Sequence, residues 1–532
     1  MKTLIHGGTL YDGSGGDPKK TDLLIQDGRI IAIGQGILCA DAERIDAEGR
    51  VVTPGFVDIH RHCDAALFTD SNFGGIELAQ GITTTVVGNC GLAPVPTTAQ
   101  WRDAAYDFIA PVVGAVPHNL RFESYSDYTA ALQNMQLPIN IGFLAAAGAI
   151  KTAVKGFTKT PYAPAELQEA VEYVRDAMEH GACGLSLGIM YQPECYSSLG
   201  ENVVLARAAA EKGGILCTHI RGEGDSLVES VQEAIDIAGR AGIPLNISHF
   251  KATGVRNWHD KIFKAIDRIE AARARGQEVT ADFYPYDGGS TTLLSLLPPS
   301  MLDEDNATSI AKLATVQGKQ KLRQELRRHH PGWDNMVAGI GWERIVISSV
   351  TLPGHAAYQG MSVARLAQQK GYNEPEDFVA DLLAEENGKV GIIVLSMSQQ
   401  DVDTIACLPY TALISDSLYG GGGNPHPRLY GAFPKLLRVM VREQKLLTVQ
   451  EAIHKMTAMP AARMGLYDRG RLARGMPADV LVFDMTKFTD NADYNDSRRL
   501  ATGMELVMVN GRTVWKNGAP LPHKNGHLVL RA

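Results

Sequence analysis

Eight short apolar runs recur through the middle of this chain, spaced by segments of helical pattern. They are "GFVDIHRH", "TTTVVGNC", "LPINIGFLAA", "GLSLG", "ILCTHI", "PLNISHF", "EVTADFYPY" and "TALISDS". Between them, "DSLVESVQEAIDIAGRAG" carries Leu227, Val231, Ile235 and Ile237 at roughly helical spacing and stops at a glycine, and "KIFKAIDRIEAARARG" repeats the pattern. Strands that alternate with helices pair in parallel. Eight of them is the count of a closed (β/α)8 barrel, and the expectation is an α/β chain of that class. The polar residues fall in step with it. His60, His62, Cys90, His219, His249, Tyr284 and Asp416 all lie at or just beyond the C-terminal end of a run. That rim is where such barrels carry their active sites. An open doubly wound sheet is the alternative, but it calls for a Gly-rich phosphate loop after an early strand; none is obvious.

The two ends of the chain differ from the middle. "DLLIQDGRIIAIGQG" holds two apolar runs around Asp27-Gly28, and "MELVMVNGRTVWKNG" breaks at Asn510-Gly511, both hairpin signals. The expectation is one β-sandwich domain built from residues 1–54 and 466–532, flanking a catalytic barrel at 55–465. Two separate β modules are the alternative. Between about 287 and 342 the strand–helix alternation stops, which predicts a small helical insertion: a lid over the rim or a peripheral excursion.

Composition narrows the class of partner. The 532 residues are 45% hydrophobic and 21% charged, with a net charge of −8 and no basic block. Nucleic acid is therefore not an expected partner. No apolar run reaches the length that spans a bilayer, and "MKTLIHGGTLYDGSGG" breaks into glycines too early for a signal peptide. The seven cysteines are dispersed and form no CxxC pair, which predicts reduced thiols in a cytoplasm.

Singly, each rim residue has an ordinary explanation. A strand histidine is commonly a packed core residue, Cys90 a small hydrophobe, and Asp416 a turn or helix cap. Successive strand ends that each offer a soft or borderline donor point to a metal. His60 and His62 share one face of a strand, because residues two apart do. Thiolate with imidazole suits Zn2+ rather than calcium or magnesium. Cys90, His219 and His249 make a three-donor set that leaves a position open for catalysis. His60 and His62 form a second half-site, which either holds a second, weaker ion or only hydrogen-bonds. Asp416 is then a carboxylate able to take the nucleophilic water's proton and return it to a leaving group.

Several longer stretches resemble one family in series. "PGFVDIHRH", "TTTVVGNCG", "GLSLGIMYQP", "THIRGEGD", "ISHFKATGVRNW", "DFYPYDGGSTTLLSLLP", "ISDS" and "PHPRLYGAFPKLL" follow one another as in the D-aminoacylases, the N-acyl-D-amino-acid deacylases of the amidohydrolase superfamily. The resemblance spans nearly the whole chain. It implies a barrel, a β-sandwich from both ends and an inserted lid. It also implies a tight zinc on Cys90, His219 and His249, a weaker site at His60 and His62 with Cys90 able to bridge, and Asp416 as the catalytic aspartate. Tyr191, Lys251, Tyr284, Ser290 and Arg428 match positions that line the substrate pocket. Lys251 and Arg428 are expected to bind the substrate carboxylate, unless they are engaged in structural ion pairs.

Departures from the family pattern fall on the pocket wall. "HRHCD" replaces the usual HTH or HSH motif. Arg61 should point away from the flanking histidines, and Cys63 is expected to be a redox liability beside the metal. "FLAAAGAIK" lacks the histidine that usually ends the third strand. Phe250 stands where a second histidine often follows the first, and Gly420 to Gly423 replace an acidic stretch. The expected activity is zinc-dependent hydrolysis of a small N-acyl-D-amino acid. The alternatives are a cyclic amide hydrolase, which would usually bridge two metals with a carboxylated lysine, and a non-catalytic binding protein on the same fold.

Overall fold

The computed structural model describes residues 2–117, 119–303, 306–330, 332–420 and 422–532. All eight expected runs form parallel strands. They are β1 (Phe56–Asp58), β2 (Ile82–Val87), β3 (Asn140–Phe143, continued by Ala145–Ala146), β4 (Gly184–Gly188), β5 (Ile215–His219), β6 (Leu245–Ile247), β7 (Val279–Phe283) and β8 (Thr411–Leu413). Each pairs with the next in sequence order. At Leu144 the third strand passes from one sheet to the other: β1 to β3 form a three-stranded sheet, and Ala145–Ala146 opens a six-stranded one. The amide of Cys183 donates to Phe143 O at 2.8 Å across that step.

Past the ends of β1 and β8 the chain pairs again. Arg61–His62 lies parallel to Ser417–Leu418, and the Asp416 amide donates to His60 O at 2.9 Å. The strands are buried on both faces, which is why they are nearly continuous apolar runs. Helices cover them. Leu227–Ala241 turns Leu227, Val231, Ala234, Ile235 and Ala238 inward and ends at Gly242, whose φ of 71° closes the last turn.

The chain ends build a single β domain. Val51–Pro54 pairs antiparallel with Val480–Phe483, so the alternative of two separate modules does not hold. Both predicted hairpin turns have positive φ at both residues, 50° and 82° at Asp27-Gly28 and 47° and 79° at Asn510-Gly511. Where a two-sheet sandwich was the expectation, hydrogen bonding joins all nine strands into one sheet. Its ladder is interrupted between Ile5 and Gly8, where Gly7 takes a φ of 74° and bends the first strand.

The insertion expected at 287–342 lies inside a longer unit. Strands Gly289–Thr292, Ile345–Ser349 and Gly391–Val394 make an antiparallel sheet of their own. Leu293, Leu322, Trp342, Ile347, Phe378 and Ile392 belong to a core distinct from that of the parallel strands. The boundary falls later than expected because its sheet is completed only by Gly391–Val394, far along the chain.

Arg61 does point away from the histidines on either side of it. It is fully buried among Glu77, Asp58, Ser415 and Tyr419, with contacts of 2.9, 3.3, 3.0 and 2.8 Å. Ser415 also donates its amide to Asp58 at 3.1 Å. Removing the guanidinium leaves two buried carboxylates, Asp58 and Glu77, without their cation, a change that typically costs about 3–5 kcal/mol. Arg61→Ala is therefore expected to unfold at markedly lower denaturant than the wild type. A midpoint unchanged in urea titration would show that this network does not hold β1 to β8.

Candidate active site

Three of the rim residues occupy backbone conformations that side-chain-bearing residues seldom adopt. Cys90, His249 and Asp416 have φ of 55°, 35° and 48°. Each lies two or three residues past its strand, where the left-handed turn swings the side chain back over the strand end. Strain of this kind persists only where neighbours over-determine it, and it gathers at functional sites. Around Cys90 the reasons are visible. Asn89 donates its side-chain amide to Val86 O at 2.9 Å and to Ile59 O at 3.3 Å. Gly188 lies so close to the Cys90 carbonyl that a Cβ would collide with it.

The donors converge. Cys90 Sγ is 3.3 Å from His60 Nε2 and 3.6 Å from His249 Nε2. His60 Nε2 and His62 Nε2 are each 3.5 Å from Asp416 Oδ1. Three donor sets have ligand atoms within 4.8 Å of one another: His60, His62 and Cys90; Cys90, His219 and His249; and His60, His249 and Asp416. Cys90 is shared by the two sets expected from the sequence. The third set, with Asp416 as a donor, was not expected.

These residues fit zinc. Tetrahedral zinc with thiolate and imidazole places sulfur and nitrogen about 3.6 Å apart, close to the spacings found. Among the described residues, the Nδ1 atoms of His62 and His219 are buried with no hydrogen-bond partner. Burial holds His219 and His249 well below the usual imidazole range, whereas Cys90, Asp282 and Asp416 override burial at His60 and lift it well above that range. Asp416 is also buried, which alone would raise its pKa. Arg428 and the histidines override that effect and keep it well below the ordinary carboxylate range.

Five further residues from the sequence reading line the same cavity: Tyr191, Lys251, Tyr284, Ser290 and Arg428. Their surroundings differ. Lys251 Nζ is neutralised by Glu223 at 2.5 Å and also touches His249 Nδ1 at 2.8 Å. Arg428 is fully buried, with Nη1 2.9 Å from Asp416 Oδ2, but Nε and Nη2 have no hydrogen-bond partner among the described residues. Its guanidinium carbon sits 4.6 Å from the centre of the Tyr284 ring, and Tyr284 Oη is buried without a partner. The Tyr191 ring packs edge-on to His219 at 4.8 Å. Ser290 donates to Ile392 O at 3.0 Å on the edge of the inserted sheet.

Two carboxylates escaped the sequence reading. Glu223 Oε1 lies 2.9 Å from His249 Nδ1 and accepts from Lys251, whose Nζ is 2.8 Å from the same ring nitrogen. Asp282 accepts from the His249 amide at 2.5 Å and from Asn246 at 2.6 Å, fixing the strained turn. Both stand in stretches that the sequence singled out, "THIRGEGD" and "EVTADFYPY"; Glu223 follows a donor strand, which was the available signal, whereas Asp282 lies within β7 and carries no such signal.

The expected redox liability of Cys63 is not supported. Its thiol is fully buried, and burial pushes its pKa well above the usual range, against the exposed, low-pKa setting that a reactive thiol needs. Phe250 is core. Lys151, near the end of the third strand, is buried against Ser197 at 2.7 Å and takes no part in the donor cluster. Within the glycine run, Gly421 lies outside the described residues.

Comparison with known proteins follows the same outline. The model of the amidohydrolase family matches residues 43–286 and 411–515, leaving out the inserted unit. An N-acyl-D-glutamate deacylase of Alcaligenes xylosoxydans xylosoxydans is 32% identical over 531 residues, covering 100% of this chain and 97% of its own. A D-aminoacylase of the same organism is 30% identical, with 99% and 97% covered. Among solved structures, the N-acyl-D-glutamate deacylase of Bordetella bronchiseptica, complexed with zinc and a phosphonate mimic of the tetrahedral intermediate, superposes with a TM-score of 0.83 at 30% identity, covering 100% and 99% of the two chains. A family match over most of the chain, with 30–32% identity and a fold shared along its whole length, assigns this hydrolase to the D-aminoacylase family of the amidohydrolase superfamily.

Proposed function

We propose that this chain is a zinc-dependent amidohydrolase that converts an N-acyl-D-amino acid to a carboxylate and a free D-amino acid. The observation that carries the reading is the position of Asp416. One of its oxygens faces His60 and His62, and the other faces Arg428. It thus stands between a cluster fit for a metal and a cation fit for a substrate carboxylate. In this reading the eight parallel strands form one closed (β/α)8 barrel over residues 55–465, residues 1–54 and 466–532 form the β domain, and the inserted unit is a lid. The scattered free thiols suit a cytoplasmic protein.

Cys90, His219 and His249 would hold the tighter zinc, and His60 and His62 a second, weaker ion with Cys90 between them. Zinc bound there supplies Lewis-acid polarisation of the acyl carbonyl and brings water within reach of deprotonation near neutral pH. The remaining steps belong to the protein. Arg428 offers its partnerless Nε and Nη2 to the substrate carboxylate as a planar pair of donors. Tyr284 stacks against the guanidinium and keeps that plane. Asp416, held ionised, takes the proton of the attacking water and delivers it to the departing amine. Glu223 neutralises Lys251, which therefore orders His249 and the cavity wall rather than binding the carboxylate.

Asp416→Asn keeps the shape and loses the proton acceptor. Its turnover of an N-acetyl-D-amino acid should fall by roughly 10²–10⁴-fold with the fold intact by circular dichroism; retention of more than about a tenth of the rate would assign the proton transfer to another group. Metal content separates the two half-sites. Cys90→Ala removes the donor common to both and should be purified with far less zinc than His62→Ala. Equal zinc in the two variants would count against the tighter site on Cys90.

A further inference from the structure

The site cavity adjoins a second, larger one of about 480 Å³, a size typical of pockets for small organic ligands. Leu92, Val112, Met190, Tyr191 and Thr291 line both. Beyond them the walls come from the helix Arg102–Val113 and from the inserted unit, with Phe108, Leu294, Leu297, Leu302 and Ile310 facing in. The cation among the described lining residues is Lys389, and it is paired with Asp107 at 3.4 Å across the seam between that helix and the inserted unit. None of Arg428, Lys251, Tyr284 or Asp416 reaches this chamber. They stand after β6, β7 and β8, whereas the chamber is approached past residues that follow β2 and β4.

We infer that this chamber receives the acyl chain, and that the enzyme acts on N-acyl-D-amino acids whose acyl group is an extended apolar chain rather than acetyl. The inference rests on the deacylase reading and specifies its substrate. The geometry of an amide decides which part of the substrate enters. Carboxylate and side chain are both borne by the carbon on the nitrogen side, and the acyl chain leaves from the carbonyl side, pointing away from them across a planar trans amide. With the carboxylate on Arg428 and the carbonyl over the donor cluster, the acyl chain continues past Met190 and Tyr191 into the apolar chamber. An acidic group there would meet apolar walls and a lysine already paired, a poor exchange for its hydration.

The test uses the zinc-loaded enzyme and two substrate series. In the first, one D-amino acid carries acetyl, butyryl, hexanoyl, octanoyl and decanoyl groups. In the second, acetyl is fixed and the side chain lengthens. Each methylene fully taken out of water is worth about fourfold in affinity, so kcat/KM should rise at least about tenfold from acetyl to octanoyl, even with partial burial. It should not rise comparably with side-chain length. A flat or falling acyl series overturns the inference, as does a gain that follows the side chain instead. Hydrolysis of some N-acyl-D-amino acids, indifferent to acyl length, defeats the chamber alone; hydrolysis of none, in either series, defeats the deacylase reading beneath it. Ala307 and Ala311 lie one helical turn apart on the chamber wall. Replacing both, Ala307→Trp with Ala311→Trp, should bring the octanoyl-to-acetyl ratio of kcat/KM down towards one. An unchanged ratio would overturn the assignment.

Discussion

The junction between the first and last parallel strands is the constraint on which the rest depends. His60 and His62 come from one end of a sequence of eight strands and Asp416 from the other. Their meeting requires the short parallel pair Arg61–His62 with Ser417–Leu418, and the bond from the Asp416 amide to His60 O. A polar plug beneath it holds the register: Arg61 against Asp58 and Glu77, with Ser415 bridging. Buried charge of this kind contributes little net stability against an apolar alternative, but it is costly to satisfy in any other arrangement. Arg61 turns into the plug, while His60 and His62, on either side of it, turn to the donor cluster.

On that base, the site is assembled from strand ends that overshoot. Three left-handed, side-chain-bearing residues in one cluster represent stored local strain, and each is held by specific bonds. Asp282 secures the His249 turn, Asn89 secures the Cys90 turn, and the His60 carbonyl secures Asp416. The result is a set of donors that converge in one cluster; geometry fixed in advance lowers the ordering cost of binding and of a chemical step.

The cavity is polarised across its width. On one side, Arg428 is buried with unfilled donors; on the other, the wall becomes apolar where the inserted unit meets the helix Arg102–Val113. Families built on one scaffold vary in loops and insertions more than in strand ends. The family model leaves out the stretch that contains the inserted unit, and that unit supplies much of the chamber wall.

The sequence by itself determined the strand order, the joint origin of the β domain from both ends and the donor residues at the strand ends. Each of these is a local or periodic property: apolar runs of strand length, Asp27-Gly28 and Asn510-Gly511 at hairpin turns, and a donor type at a fixed place after a run. Contacts between distant residues were left to the tertiary structure. Glu223 became the partner of His249 only when the loops after β5 and β6 met. Lys251 and Arg428, alike on paper as cations, parted when one was neutralised and the other kept free donors. Cys63 sits next to a metal-type residue in sequence, yet the fold buries it and withdraws its reactivity. The inserted unit outran its expected end because its closing strand lies far along the chain. Side-chain pattern reports which face of a strand or helix is buried, but what that face meets is set by packing between elements that no local pattern encodes.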